Sequence, residues 1–281
     1  MNAKSKIKNF AKLVIGYGLL AVMPQRGQQL ATQGFTLDLG IHFNRTDRLI
    51  RYALLHKTSK RQSNELVDFH RTYWEKRGKE YYDANLEWDV FNQYFMPNLS
   101  FIIDKLAERV GANLYYTTLC EIGVGNGQVL AYAASKLPSV QRFIGLDLNQ
   151  EQVVDNCNKY PDSKFEFVAC EASEWIQENA EENWIFLTNQ GVLEYFERET
   201  LQGLFSHISN HLAPALFVVV EPYGTGHDIE NDVETQTYGP EFSYSHNYRH
   251  LFIEAGFKVW HYSTLPVNDN HNLCIVGVET A

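Results

Sequence analysis

A chain of 281 residues that is 44% hydrophobic and 14% aromatic has enough apolar side chain to bury a full core, which excludes a disordered or fibrous polypeptide. Its four cysteines, Cys120, Cys157, Cys170 and Cys274, form no Cys-x-x-Cys pair, so neither a disulfide framework nor a zinc site is expected. The net charge of −10 is unevenly spread: residues 1–80 hold 15 Lys and Arg against 6 Asp and Glu, and the remainder holds 9 against 28. A basic head on an acidic body offers different partners two different surfaces.

Lys4, Lys6, Lys8 and Lys12 lead into an apolar run over 13–23 that Pro24 ends. The run is well short of the roughly 20 residues a bilayer span needs. No small-x-small cleavage site follows it, which argues against a secretory signal. The stretch therefore reads as a buried or interfacial helix, and residues 4–23 as a candidate peripheral membrane contact of a cytoplasmic protein.

Residues 25–62 are polar and rich in Gln, Arg and Lys, and are expected to form short helices and loops. Aromatic residues then dominate, among them Tyr73, Trp74, Tyr81 and Tyr82. Phe91, Tyr94 and Phe95 are spaced to share one helix face. An amphipathic helix is expected over 101–110, stopped by Gly111. The first hundred residues thus predict a basic, helical extension that caps a domain over 101–281.

From residue 115 onward strands and helices alternate. Strands are expected over 115–121, 143–148, 165–168, 184–188, 216–220, 257–262 and 273–278. Helices are expected over 128–136, 151–159, 198–212 and 248–255. Apolar strands alternating with helices of this length predict an α/β fold, a mostly parallel sheet of seven strands covered by helices on both faces. In such sheets ligands sit at the carboxyl ends of the strands.

The first strand runs directly into Glu121-Ile122-Gly123-Val124-Gly125-Asn126-Gly127, which opens a helix. Glycines there allow a tight turn and let backbone approach a ligand that a Cβ would block. The third glycine comes too early for a dinucleotide fingerprint, and an acid precedes the first. Asp147 closes the second strand, where two carboxylate oxygens can accept both hydroxyls of a ribose. Glu171 follows the third strand.

This ordered set resembles motif I and its downstream acids in class I Rossmann-like methyltransferases dependent on S-adenosylmethionine. The late Gly256-Phe257 turn is similar as well, so the resemblance covers roughly residues 115–281. It implies that Glu121 orients the cofactor's α-amino group above the turn of Gly123, Gly125 and Gly127. It further implies that Asp147 holds the ribose beside Leu148, and that Glu171 with Ala172 meets the adenine. Asn189, at the end of the fourth strand, and Tyr82, in the cap, complete the cofactor-binding candidates. S-adenosyl-L-homocysteine would be the product.

The acceptor is less legible. Thr188-Asn189-Gln190-Gly191 lacks the Asn/Asp-Pro-Pro-Tyr/Phe signature of enzymes acting on amide or base amino nitrogens, and no acidic trio suggests a magnesium-dependent enzyme. The expected activity is metal-free O-, N- or C-methylation of a small molecule, with His227, His246 and His250 as candidate bases. His246 and His250 are four apart on an expected helix and would share a face. Residues 223–245 are longer than a crossover requires and read as a wall of the acceptor site. Two other readings stay open. The basic head can dock RNA or protein, though nucleic acid is disfavoured because the basic residues are spread over 80 positions. The chain can also be a membrane-associated cofactor-binding protein without turnover.

Overall fold

The computed structural model describes residues 3–32, 44–59, 64–113, 115–239 and 241–280. The expected loops at 33–43 and 60–62 lie outside the described residues, as do the side chains of Lys4, Lys6 and Lys8.

Seven strands form one sheet: β1 (Thr118–Ile122), β2 (Arg142–Asp147), β3 (Phe165–Ala169), β4 (Trp184–Asn189), β5 (Leu216–Gly224), β8 (Phe257–Pro266) and β9 (His271–Thr280). Their order is β3-β2-β1-β4-β5-β9-β8. The first five are parallel to one another, and β9 runs antiparallel between β5 and β8. Every residue of β1 and β5 is buried, as strands covered on both faces must be. Alternation then divides two cores. Cys120, Ile122, Phe186 and Phe217 join α10 (Arg198–His211) and α11 (Tyr248–Glu254) on one face. Leu119, Phe143, Leu187 and Val218 join α6 (Phe101–Gly111) and α7 (Gln128–Lys136) on the other.

β5 runs four residues past its expected end because its last residues continue the ladder with β9, pairing Tyr223 with Asn272 and Gly224 with His271. Also unforeseen are α9 (Ala172–Asn179) and a small hairpin of β6 (Gln236–Tyr238) and β7 (Ser243–Ser245), which lies within the long segment after β5.

The N-terminal part is helical. The helices α1 (Ala3–Val22), α2 (Pro24–Ala31) and α3 (Arg45–Ser59) share a small core of Leu30, Ile50 and Leu55 with Leu66 of α4 (Asn64–Glu87). α4 then reaches the sheet. Asn149, the N-cap of α8 (Gln150–Lys159), donates from Nδ2 to the carbonyls of Trp74 (3.3 Å) and Glu75 (3.0 Å). A single turn of π-helix over Phe91–Phe95 leads into α5 (Met96–Asn98). Phe95 and Leu99, on the N-terminal side of the boundary expected at 100, share a core with Ile102 and Leu106 of α6.

Candidate functional site

Beyond β1 the chain reverses sharply. The amides of Gly123 and Val124 both donate to the Leu146 carbonyl, at 2.8 and 2.9 Å, which ties the turn to β2. Gly123 has φ +70°, and a Cβ there would lie 2.5 Å from Val192 Cγ2. Gly125 has φ +51°, and the Tyr82 ring lies against the place its Cβ would occupy. The Gly125 carbonyl accepts from buried Asn156 Nδ2 at 2.7 Å, and Gln152 Nε2 in turn holds Asn156 Oδ1 at 2.9 Å. A helix on the next βα unit thus fixes the shape of the turn.

Glu121 sits beneath it, almost wholly buried, and its Oε2 has no hydrogen-bond partner among the described residues. Burial, with the neighbouring Asp147 charge, holds its pKa well above the usual carboxylate range. A buried carboxylate oxygen left without a donor costs free energy unless something supplies one, and a cationic amine would do so.

Asp147 ends β2 with both oxygens engaged. Oδ1 accepts from the Asn149 amide at 2.9 Å; Oδ2 accepts from the Gly125 amide at 3.0 Å and the Tyr82 hydroxyl at 2.9 Å. Burial raises the Asp147 pKa, and these donors pull it back down. Tyr82 also stacks on Trp74, with ring centroids 5.9 Å apart, so the α4 cap closes over the glycine turn.

Glu171 caps α9: its Oε2 accepts from the Glu174 amide at 2.9 Å and the Ser173 hydroxyl at 2.6 Å. It is therefore a helix cap on the cavity wall. Asn189, at the end of β4, keeps its Oδ1 buried without a partner among the described residues.

One cavity of about 830 Å³ brings these groups together. Glu121, Gly123, Gly125, Asp147, Leu148, Glu171, Ala172, Asn189 and Tyr82 all line it. Gly127 does not: at φ +75° it is the N-cap of α7 and faces the Tyr160 ring.

None of the three candidate histidines is among the residues lining the cavity. His246 is fully buried between Thr235 Oγ1 (2.9 Å) and the Phe196 carbonyl (3.0 Å), and burial lowers its pKa to about 3. His227 meets Ser245 Oγ at 2.8 Å and the Asp232 carbonyl at 3.3 Å, bracing the hairpin segment. His250 lies 3.2 Å from Glu254 on α11. Because that helix starts at Tyr248, His246 and His250 share no helix face.

The cavity has instead a carboxylate that sequence reasoning passed over. Glu194, in the 3₁₀ turn Leu193–Tyr195 after β4, lines the cavity although only 7% exposed. The Tyr238 hydroxyl donates to its Oε2 in a short hydrogen bond. Burial pushes its pKa up to about 7, against hydrogen bonds that lower it. The turn is held from behind by Glu221, whose Oε2 accepts from the amides of Val192 (2.9 Å) and Leu193 (3.0 Å). Trp74 and Tyr195, with centroids 5.6 Å apart, line the same space.

Residues 119–215 match the family model of a methyltransferase domain. The chain carries a methyltransferase domain. Its sheet is that of the class I S-adenosylmethionine-dependent methyltransferases, and solved structures share the fold. A methyltransferase from Leishmania major is similar at 14% identity, with a TM-score of 0.52 over 79% of this chain and 89% of that one. The N-methyltransferase NodS of Bradyrhizobium japonicum, solved with S-adenosyl-L-homocysteine, is similar at 13% identity, with a TM-score of 0.51 over 74% of this chain and 98% of that one. No curated protein matches the sequence. Among the described residues no cluster of His, Cys, Asp and Glu is arranged to hold a metal ion, and no helix is long and apolar enough to cross a membrane.

Proposed function

We propose that this methyltransferase takes S-adenosyl-L-methionine into the half of the cavity formed by the glycine turn, and methylates a small molecule held in the half formed by Glu194, Tyr238, Trp74 and Tyr195. The observation that carries the reading is that a single cavity joins the two sets of residues. The first set fits the cofactor. Glu121 Oε2 offers a buried acceptor, unpaired among the described residues, for an ammonium group, and Gly123 and Gly125 make the tight turn above it at positive φ, where a Cβ would strike Val192 or the Tyr82 ring. Asp147 and Leu148 would face the ribose; Glu171 and Ala172 would line the adenine end; Asn189 would offer its unpaired Oδ1 between the two halves. When bound, the cofactor supplies a methyl group activated on a sulfonium.

The chain's own work is to hold the acceptor dry and to take its proton. A carboxylate with a pKa near the operating pH suits that second task. Glu194 in its ionised form accepts the proton from an acceptor O–H or N–H. The carboxylate becomes a carboxylic acid, and the electron pair of the broken bond stays on the oxygen or nitrogen. Tyr238 orients the accepting carboxylate through its hydroxyl. The aromatic faces of Trp74 and Tyr195 beside an acid favour an acceptor with a cationic or polarised group, by cation–π attraction.

Incubating the protein with methyl-labelled cofactor and separate pools of small amines, small hydroxylated compounds, RNA and protein tests the proposal. Label is expected in a small-molecule pool, and Glu194→Gln should slow its transfer by roughly a hundredfold or more. Label confined to RNA or protein would contradict the small-molecule reading.

A further inference from the structure

Among the described residues the outer face of α1 has no partner. Gly16 turns the opposite face toward α3, where a Cβ would strike the Leu49 carbonyl and the Ala53 methyl, so the rotation of α1 about its axis is fixed. Phe10, Val14, Ile15 and Val22 then stand 69%, 55%, 53% and 75% exposed. Positions 10, 14, 18 and 22 follow one another at the four-residue spacing of a helix ridge, and Ala11 and Ile15 lie beside it. Between Phe10 and Val22 this exposed face carries no charged residue: Tyr17, Gly18 and Ala21 are its remaining members. Large exposed apolar residues are ordinary when scattered; a continuous strip of them is not.

The basic residues of the helix stand at its other end. Lys4 and Lys8 precede Ala11 by seven and three residues, so helical periodicity sets their Cα atoms on the same side as the apolar strip. With Lys6 and Lys12, four lysines fall in the first half of a helix that has no acidic residue. They belong to the positive part of a chain whose remainder is strongly negative. An apolar strip continued by lysines is the pattern of a helix that lies in the headgroup region of an anionic bilayer, with apolar side chains down and ammonium groups near the lipid phosphates. A second copy of the chain is the poorer occupant. One face of a 20-residue helix, ~30 Å long and ~10 Å wide, offers about 300 Å², well under the roughly 800 Å² per partner of a stable interface.

We infer that α1 docks this methyltransferase reversibly on an anionic lipid surface through Phe10, Val14, Ile15 and Val22, with Lys4 and Lys8 supplying charge complementarity.

Co-sedimentation of the full chain with vesicles tests this. One set is phosphatidylcholine alone, and the other is phosphatidylcholine mixed with phosphatidylserine. The expected result is pelleting with the mixed vesicles, reduced with phosphatidylcholine alone and reduced again at high salt. Val14→Asp with Val22→Asp should weaken it by at least about tenfold, because each removes an apolar anchor at a solvent-exposed site. Binding of S-adenosyl-L-homocysteine by this variant should stay at the wild-type level, which shows that the fold survives. No wild-type pelleting on either vesicle overturns the inference, as does pelleting that salt and the substitutions leave unchanged. A dimer in light scattering that Val14→Asp dissolves assigns the face to a second copy and also overturns it.

Discussion

The Tyr82 hydroxyl donates to Asp147 Oδ2 at 2.9 Å and so joins the long helix of the N-terminal extension to the carboxylate at the end of β2. A carboxylate offers about four acceptor positions, and three on Asp147 are taken by Asn149, Gly125 and Tyr82. A ligand that uses both oxygens through two hydroxyls must displace one donor. The backbone amides are fixed by the turn and by the start of α8, so the side-chain hydroxyl of Tyr82 is the one that yields.

Tyr82→Phe therefore separates two effects. It removes a hydrogen bond to a buried acid, worth about 1.5–3 kcal/mol, and should lower the melting temperature of the free protein. It also removes a competitor for Asp147, so affinity for S-adenosyl-L-homocysteine should equal or exceed that of wild type. Tyr82→Ala also loses the ring over Gly125 and its stack on Trp74, and should bind more weakly. Calorimetry on both variants checks this, and a tenfold loss of affinity in Tyr82→Phe would count against displacement.

The glycine turn has little tolerance. At Gly123 an alanine must adopt φ +70°, at a cost of roughly 1 kcal/mol, and its Cβ must push Val192 away from 2.5 Å. Val192 leads into the Glu194 turn, so the disturbance reaches both halves of the cavity. Gly123→Ala should remain folded by circular dichroism yet lose cofactor affinity and turnover together. Unchanged turnover in a steady-state assay would show that the turn does not shape the site.

Glu194 sets a pH dependence with a definite sign. Its pKa in the fold is about 7, above its ordinary 4.5. A carboxyl raised in this way stabilises the fold in its protonated form. That stability is fully present below the ordinary value and is lost as pH rises from about 4.5 through about 7. Glu194→Gln should thus be more stable than wild type at pH 8, by up to ~3 kcal/mol, and equal to it at pH 4. Activity runs the other way. As the base, Glu194 must be ionised, so kcat/KM should rise through about pH 7 and the limb should vanish in Glu194→Gln. Glu221 lies behind the same turn and is pushed up to about 8 by burial, so Glu221→Gln is the control: it should shift the limb without abolishing it. Thermal melts and a pH–rate profile on the two variants measure both consequences.

The sheet, the glycine turn and the three acids after successive strands were legible because each rests on local pattern. Buried strands are short apolar runs, and the turn needs its glycines within a few residues of one another. Glu194 stood in view in Gly191-Val192-Leu193-Glu194-Tyr195-Phe196, but its chemistry depends on Tyr238, 44 residues later, and on a burial that no local pattern reports. The histidines misled for a related reason. Their spacing of four matters only if one helix contains both, and the Asn247 side chain, which accepts from the His250 amide at 3.1 Å, starts α11 after His246. The hairpin of β6 and β7 is too short for alternation to reveal, yet Tyr238 and Ser243 on it help to form the cavity.

In the proposed binding mode Asp147 and the glycine turn hold S-adenosyl-L-methionine. Titration calorimetry with S-adenosyl-L-methionine and S-adenosyl-L-homocysteine on wild type and Asp147→Ala tests it most directly. Saturable binding of both ligands to wild type is expected, weakened at least tenfold, about 1.4 kcal/mol, by the substitution. Absence of binding to the wild-type protein, or equal binding to Asp147→Ala, would contradict it.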